Sequence, residues 1–313
     1  MPGALPARTR VYQNHHLDSE RWQEYSPRDG DVIVTTSYKS GTTWTQAILL
    51  SLLHPDVTDP QTAMQQMSPW VDARFMPIPR EALRGILEAL PDRRFLKSHL
   101  PLDGLPYFEN VQYLIIGRDP RDVFMSLFNH YSSYTELAMS MFNPPDRPGD
   151  PLPPCPDEPR ALWRDWMSRG WFDWESEGYP FWSNLHHTQS YWDFRHLPNF
   201  LFLHYADMLA DLERAVRRIA AFCGIDADEA AIARAVEETT FANVRRRVES
   251  VPVEQDGSSL VFAGGQRTFF FKGTNGRWRD VLTESDLALY HEATRRVLTP
   301  DCARWLEAGD AAL

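Results

Sequence analysis

Three short runs carry residues able to handle anions and protons, and each follows an apolar stretch. The first is Ser37-Tyr38-Lys39-Ser40-Gly41-Thr42-Thr43-Trp44-Thr45, after Asp31-Val32-Ile33-Val34-Thr35-Thr36 and before the apolar stretch Thr45–Leu53. That order predicts strand, small-residue loop, helix. Such a loop turns successive backbone N–H groups toward one concave nest at a helix N-terminus, where anions bind. Lys39 adds a full positive charge, Ser40, Thr42 and Thr43 add hydroxyls, and Gly41 supplies a permissive backbone. The nucleotide loop G-x-x-x-x-G-K-[ST] does not fit, because no glycine opens the run and the lysine precedes Gly41.

The second run is Lys97-Ser98-His99-Leu100-Pro101, behind Phe95-Leu96. A neutral imidazole can take the proton of a hydroxyl as its oxygen attacks, and a lysine two residues away can offset charge on the partner. A lone histidine is more often structural, and the chain has ten. The third run is Arg118-Asp119-Pro120-Arg121-Asp122-Val123-Phe124-Met125-Ser126, behind Val111–Gly117. Pro120 suits a first helical turn, and Arg118 with Ser126 could hold a second phosphate. The alternative is a surface arginine and an unrelated helix serine.

These runs resemble those of the cytosolic sulfotransferases. That family writes its first loop T-Y-P-K-S-G-T-T-W, and Lys39 to Trp44 match it over six consecutive residues, with Ser37 and Tyr38 in place of Tyr and Pro. Its K-[ST]-H-x-P and R-[DN]-P-[KR]-D-x-x-x-S segments match at Lys97–Pro101 and Arg118–Ser126. The resemblance implies sulfuryl transfer from 3′-phosphoadenosine 5′-phosphosulfate (PAPS), leaving adenosine 3′,5′-bisphosphate (PAP), with no metal. It implies His99 as general base, with Lys39 and Lys97 offsetting charge. It implies Lys39, Ser40, Gly41, Thr42, Thr43 and Trp44 around the donor, and Arg118 with Ser126 on the 3′-phosphate. Tyr205, Thr239 and Phe241 resemble adenine-contacting positions, with Trp44 and Phe241 able to sandwich the base. Phe271-Lys272-Gly273-Thr274-Asn275-Gly276-Arg277-Trp278-Arg279 resembles R-K-G-x-x-G-x-W-K, which closes over the same phosphate. It implies Lys272 and Gly273 at the donor, but Phe271 replaces an arginine, for which Arg267 or Arg277 could substitute. Ser68-Pro69-Trp70 and His204-Tyr205-Ala206-Asp207 look most like bacterial members, some regarded as glycolipid sulfotransferases. The family's dimer motif keeps only Thr283 unchanged, with Arg279 for lysine, which leaves the oligomeric state open.

The elements that must position these residues follow the same order. Val32–Thr35, Phe95-Leu96-Lys97, Val111–Gly117 and Phe200–His204 read as buried strands, and Arg80–Leu90, Arg121–Tyr131 and Leu209–Cys223 as helices, the last capped by Asp207. Alternation of this kind predicts an α/β fold, a parallel central sheet with helices on both faces, P-loop-like in its ligand end. No repeat or linker divides residues 1–313, so one domain is expected. Eight prolines between Asn143 and Arg160 exclude helix or central strand there. Trp163, Trp166, Trp171, Phe172, Trp174, Tyr179, Phe181 and Trp182 follow. They fit either a packed helical layer or, across about residues 135–195, an acceptor cap with an apolar pocket.

Composition narrows the partners. The formal charge of −11 argues against nucleic acid and against a polyanionic acceptor. No apolar run reaches the ~20 residues of a membrane span, the start of the chain lacks a secretion-signal pattern, and three scattered cysteines suit a reducing cytoplasm. The acceptor is expected to be a small or lipid-like hydroxyl compound. Two rivals stay open here: a nucleotide kinase or hydrolase, and a non-catalytic nucleotide- or lipid-binding protein.

Overall fold

The structure is a computed structural model and describes residues 4–251, 257–269 and 273–312. Four strands form one parallel sheet: β1 (Val32–Thr35), β2 (Phe95–Ser98), β3 (Gln112–Gly117) and β4 (Phe200–His204), in the order β2-β1-β3-β4. Register pairs Val32 with Phe95 and with Gln112, and Tyr113 with Phe200.

Successive strand residues point to opposite faces, and both faces are buried. Ile33, Leu96, Tyr113 and Ile115 enter one apolar cluster; Val32, Val34, Phe95, Leu114, Ile116 and Leu203 enter another. Helices Thr42–Leu53, Leu212–Phe222 and Glu229–Thr239 contribute to the second cluster. Helices Pro120–Tyr131, Pro159–Ser168, Asn184–Trp192 and Glu284–Val297 contribute to the first. The expected helices on both faces are therefore present. At the end of the sheet opposite the ligand loops, Arg94 and Asp31 form a fully buried ion pair, to which Tyr25 adds a hydroxyl hydrogen bond of 2.6 Å. It ties the residue before β1 to the residue before β2 and so holds their register.

Some expected boundaries shift. The first helix begins at Thr42, not Thr45, so two loop threonines lie in its opening turn. Leu209–Cys223 is two helices, Tyr205–Ala210 and Leu212–Phe222, because Asp211 leaves helical geometry and caps the second with its own side chain. Asp207 is inside the first of them, and its carboxylate accepts instead from the Asp310 N–H. The proline-rich stretch carries no helix until Pro159. Among the described residues no helix is long and apolar enough to cross a membrane.

Candidate active site

The carboxyl ends of β1, β2 and β3 bring the predicted runs together. After β1 the chain passes Thr36 and turns through Lys39 at φ 55° and Gly41 at φ 117° before the helix starts. Gly41 is needed for space as well as conformation: a Cβ there would lie 3.0 Å from the Tyr205 ring. As N-cap it offers no side chain to the first helical N–H groups, and no acidic residue occupies the first turn. The positive end of this helix is thus left for an anion. Ser40 is buried, its hydroxyl held by Ser37 and the Tyr38 carbonyl, while Thr43 and Trp44 are half-buried.

Two lysines converge on this loop. Burial, then the charges of Lys97 and Arg118, push Lys39 down to about 7. Its amine lies 3.3 Å from His130 Nδ1, on helix Pro120–Tyr131. Burial pushes Lys97 down to about 8, and its amine lies over the Trp70 ring at 4.4 Å. Arg118 is buried at the end of β3. It donates to the Lys39 carbonyl and to Asn275 Oδ1, both at 3.0 Å, and stacks on Tyr205 at 4.0 Å. Its Nε is buried without a hydrogen-bond partner. Neither Lys97 nor Arg118 reaches a described carboxylate within salt-bridge distance, because Asp119 is engaged by Arg121 and Asp72 by two indoles. Asp72 acts on Lys97, and Asp122 and Asp119 on Arg118, only at longer range, and buried cations without a carboxylate in contact are costly unless an anion completes them. Ser126 is half-buried two turns along the helix that follows Arg118.

His99 is 4 % exposed. Its Nδ1 lies 2.8 Å from the Thr36 carbonyl oxygen. A carbonyl only accepts, so Nδ1 carries the ring proton and Nε2 keeps a bare lone pair. Burial and the charge of Lys97 hold the imidazole well below its usual pKa, so it stays neutral. Thr42 and Thr36 exchange a hydroxyl hydrogen bond of 2.6 Å, which joins the anion loop to the histidine. On the outer side of the loop, Trp44 donates to the Thr239 carbonyl at 2.8 Å and meets Tyr205 edge-on at 5.4 Å. Gly273, at φ 63°, lies so close to Phe241 that a Cβ would come within 2.6 Å of its ring. Sequentially remote segments thus form one wall containing Trp44, Tyr205, Thr239, Phe241 and Gly273.

Comparison with known proteins agrees with this geometry. The family model described as sulfotransferase domain matches residues 29–301. A glycolipid sulfotransferase of Mycobacterium bovis (strain BCG / Pasteur 1173P2) is 33% identical over 315 residues, covering 96% of this chain and 94% of its own. The chain belongs to the sulfotransferase family. Sulfotransferase 1B1 of Mus musculus is 25% identical, over 85% of this chain and 82% of its own. A crystal structure of retinol dehydratase in a complex with retinol and PAP superposes with a TM-score of 0.66 at 25% identity, covering 91% and 87%.

The protein is accordingly a sulfuryl-transfer enzyme, which removes the kinase or hydrolase and non-catalytic alternatives. Among the described residues no group of His, Cys, Asp and Glu could hold a metal ion. Lys272 and Phe271 lie outside the described residues. Arg267 is turned elsewhere, donating to the Glu249 and Val251 carbonyls. Of the eight aromatics, Trp163 and Trp166 are core: both are fully buried, and Trp163 donates to the Asp286 carbonyl. Trp182 is buried in the same core cluster, with its ring 5.9 Å from that of His99.

Three contributors escaped the sequence reading. Asp72 accepts from Trp22, Trp70 and the His99 N–H, at 2.9, 2.7 and 3.2 Å, and so fixes the start of the histidine turn. No spacing pattern marks it. Asn275 meets Arg118 across a loop. His130 stands four residues after Ser126, on the same helix face, and that periodicity was readable.

Proposed function

We propose that this sulfotransferase moves the sulfuryl group of PAPS to a hydroxyl of a lipid-like acceptor, such as a glycolipid, a hydrophobic alcohol or a phenol. The observation that carries the reading is the His99 tautomer: Nδ1–H donates to the Thr36 carbonyl, leaving Nε2 bare, within electrostatic reach of Lys39 and Lys97. In the reaction the acceptor oxygen attacks sulfur and its proton passes to His99 Nε2. The bond from sulfur to the bridging phosphate oxygen breaks, and PAP leaves with the electron pair. Lys39, Lys97 and the N–H groups of Ser40–Trp44 offset the charge that builds on the bridging and sulfuryl oxygens. Arg118 and Ser126 hold the 3′-phosphate, with Lys272 and Gly273 closing over it. Trp44, Tyr205, Thr239 and Phe241 hold adenine.

The mycobacterial relatives are named glycolipid sulfotransferases, and the apolar surroundings of His99, with Trp70 at 4.8 Å and Trp182 at 5.9 Å, suit an acceptor with hydrocarbon to bury. The whole chain acts as one domain, with a cap over residues 135–195. Its three cysteines are free thiols, in keeping with a cytoplasmic setting. The test is a panel of phenols, sterols, long-chain alcohols, glycolipids, free sugars and heparan-type chains with PAPS, following PAP release, with ATP as control donor. Turnover of the apolar hydroxyl compounds is expected. Turnover confined to free sugars or polysaccharide would overturn the acceptor assignment.

A further inference from the structure

His16 precedes residues 29–301, the span matched by the family domain, yet its ring lies against the same aromatic wall as His99. Its protonation is fixed by a chain of contacts. His15 Nε2 is 2.8 Å from the Pro180 carbonyl oxygen, so that nitrogen carries a hydrogen. Burial pushes His15 down to about 3, so the ring is neutral and its Nδ1 is bare. His15 Nδ1 contacts His16 Nδ1, which must therefore donate. His16 is 3 % exposed and also held neutral, by burial and the nearby His15 and His99. With its single proton on Nδ1, His16 Nε2 is a bare acceptor, and it is buried with no hydrogen-bond partner. A buried acceptor left unmet is costly, so a group with a hydrogen to give is what the site lacks.

The surroundings say where that group comes from. The His16 ring stacks on Phe142 at 4.0 Å and meets Phe75 edge-on at 5.4 Å. Trp182 is 6.1 Å from His16 and 5.9 Å from His99, so it neighbours both imidazoles. Tyr134 is 6.4 Å from His16 and 5.2 Å from His130, the residue that touches Lys39. The turn is rigid, because Asn14 Oδ1 accepts from the backbone N–H of both His16 and Leu17. One wall therefore presents hydrocarbon and two bare imidazole nitrogens. His99 takes the reacting hydroxyl's proton, so the donor for His16 is a different hydroxyl.

We propose that His16 Nε2 accepts a hydrogen bond from a second hydroxyl on the acceptor's headgroup, so that the enzyme favours acceptors carrying a polyol or sugar headgroup on an apolar body. This rests on the reading that the His99 side of the loop is the acceptor side. The test uses octyl β-glucoside, its mono-deoxy analogues and 1-octanol, measured by calorimetry on the PAP-loaded enzyme and by sulfate transfer from PAPS. In the wild-type enzyme, removing one particular hydroxyl should weaken binding roughly 10- to 100-fold. In His16→Phe, which keeps the ring on Phe142, that same deletion should have no effect, and 1-octanol should bind as before. The wild-type deoxy series stands without the variant if His16→Phe does not fold. Wild type binding octyl glucoside no better than 1-octanol, or His16→Phe weakening both equally, overturns the proposal. Binding as expected without sulfate transfer would sink the catalytic reading and leave this one standing; indifferent transfer to 1-octanol would do the reverse.

Discussion

Lys39 should make the proposed donor site sensitive to alkaline pH, and the direction follows from its depressed pKa. Burial and the neighbouring cations lower it to about 7, so its charge is present below that pH and lost as pH rises through it. At pH 9 only about one molecule in a hundred keeps the charge in the free enzyme. A bound phosphate or sulfate restores it, because an anion favours the ammonium form. PAP affinity should therefore fall about tenfold per pH unit above 7, near 1.4 kcal/mol each, as proton uptake is charged against binding. If Lys97, lowered to about 8, also touches the ligand, the slope steepens from there. The ligand's own second phosphate ionisation, near pH 6, is complete too early to explain a loss at 8 or 9. The assay is calorimetric titration of PAP at pH 6, 7, 8 and 9, with Lys39→Arg beside wild type, since a guanidinium keeps its charge throughout. A flat wild-type profile, or an identical slope in Lys39→Arg, would refute the assignment of Lys39 to the donor.

Three further outcomes are expected. His99→Ala should lose about 10²–10⁴ in turnover while binding PAP within a few-fold; a variant retaining half the wild-type turnover would exclude His99 as base. Arg118→Ala should weaken PAP by about 2–3 kcal/mol and leave adenosine 5′-phosphosulfate, which lacks the 3′-phosphate, nearly unaffected, so equal losses in calorimetry would assign Arg118 elsewhere. Gly41→Ala should cost about 1–3 kcal/mol of stability in denaturant unfolding, from its φ of 117° and a Cβ 3.0 Å from Tyr205, and should weaken PAP as well; an unchanged midpoint and affinity would show that the loop tolerates a side chain there.

Local features of the chain were enough to locate the anion loop, the four strands and His99, though not the order of the strands in the sheet. β-branched apolar runs ending in Ser, Thr, Gly or Pro are a short-range signal, and in a parallel sheet the carboxyl ends of such runs must share one edge. Boundaries were less legible. Thr42 entered the helix because Gly41 turns the chain earlier than a side-chain cap would, and Asp211 broke a continuous periodic pattern by capping its own N–H neighbours. The aromatic run was ambiguous for a physical reason: the same apolar side chains suit a core and a pocket. Trp163 and Trp182 both joined the core, Trp163 donating to the Asp286 carbonyl and Trp182 lying 5.9 Å from His99.

Sequence by itself brought the reaction class into view, because the three runs that resemble the sulfotransferases, Lys39–Trp44, Lys97–Pro101 and Arg118–Ser126, are each contiguous, and the family match over residues 29–301 then removed the rivals. Tertiary structure decided how those groups are charged. Whether His99 presents a lone pair depends on the Thr36 carbonyl, 63 residues away in the chain. Whether Lys39 titrates near neutrality depends on burial beside Lys97 and Arg118. Whether His16 needs a donor depends on a proton fixed by Pro180 through His15. Protonation is set by whichever dipoles and charges the fold brings within a few ångströms, and such neighbours leave no periodic trace along the chain.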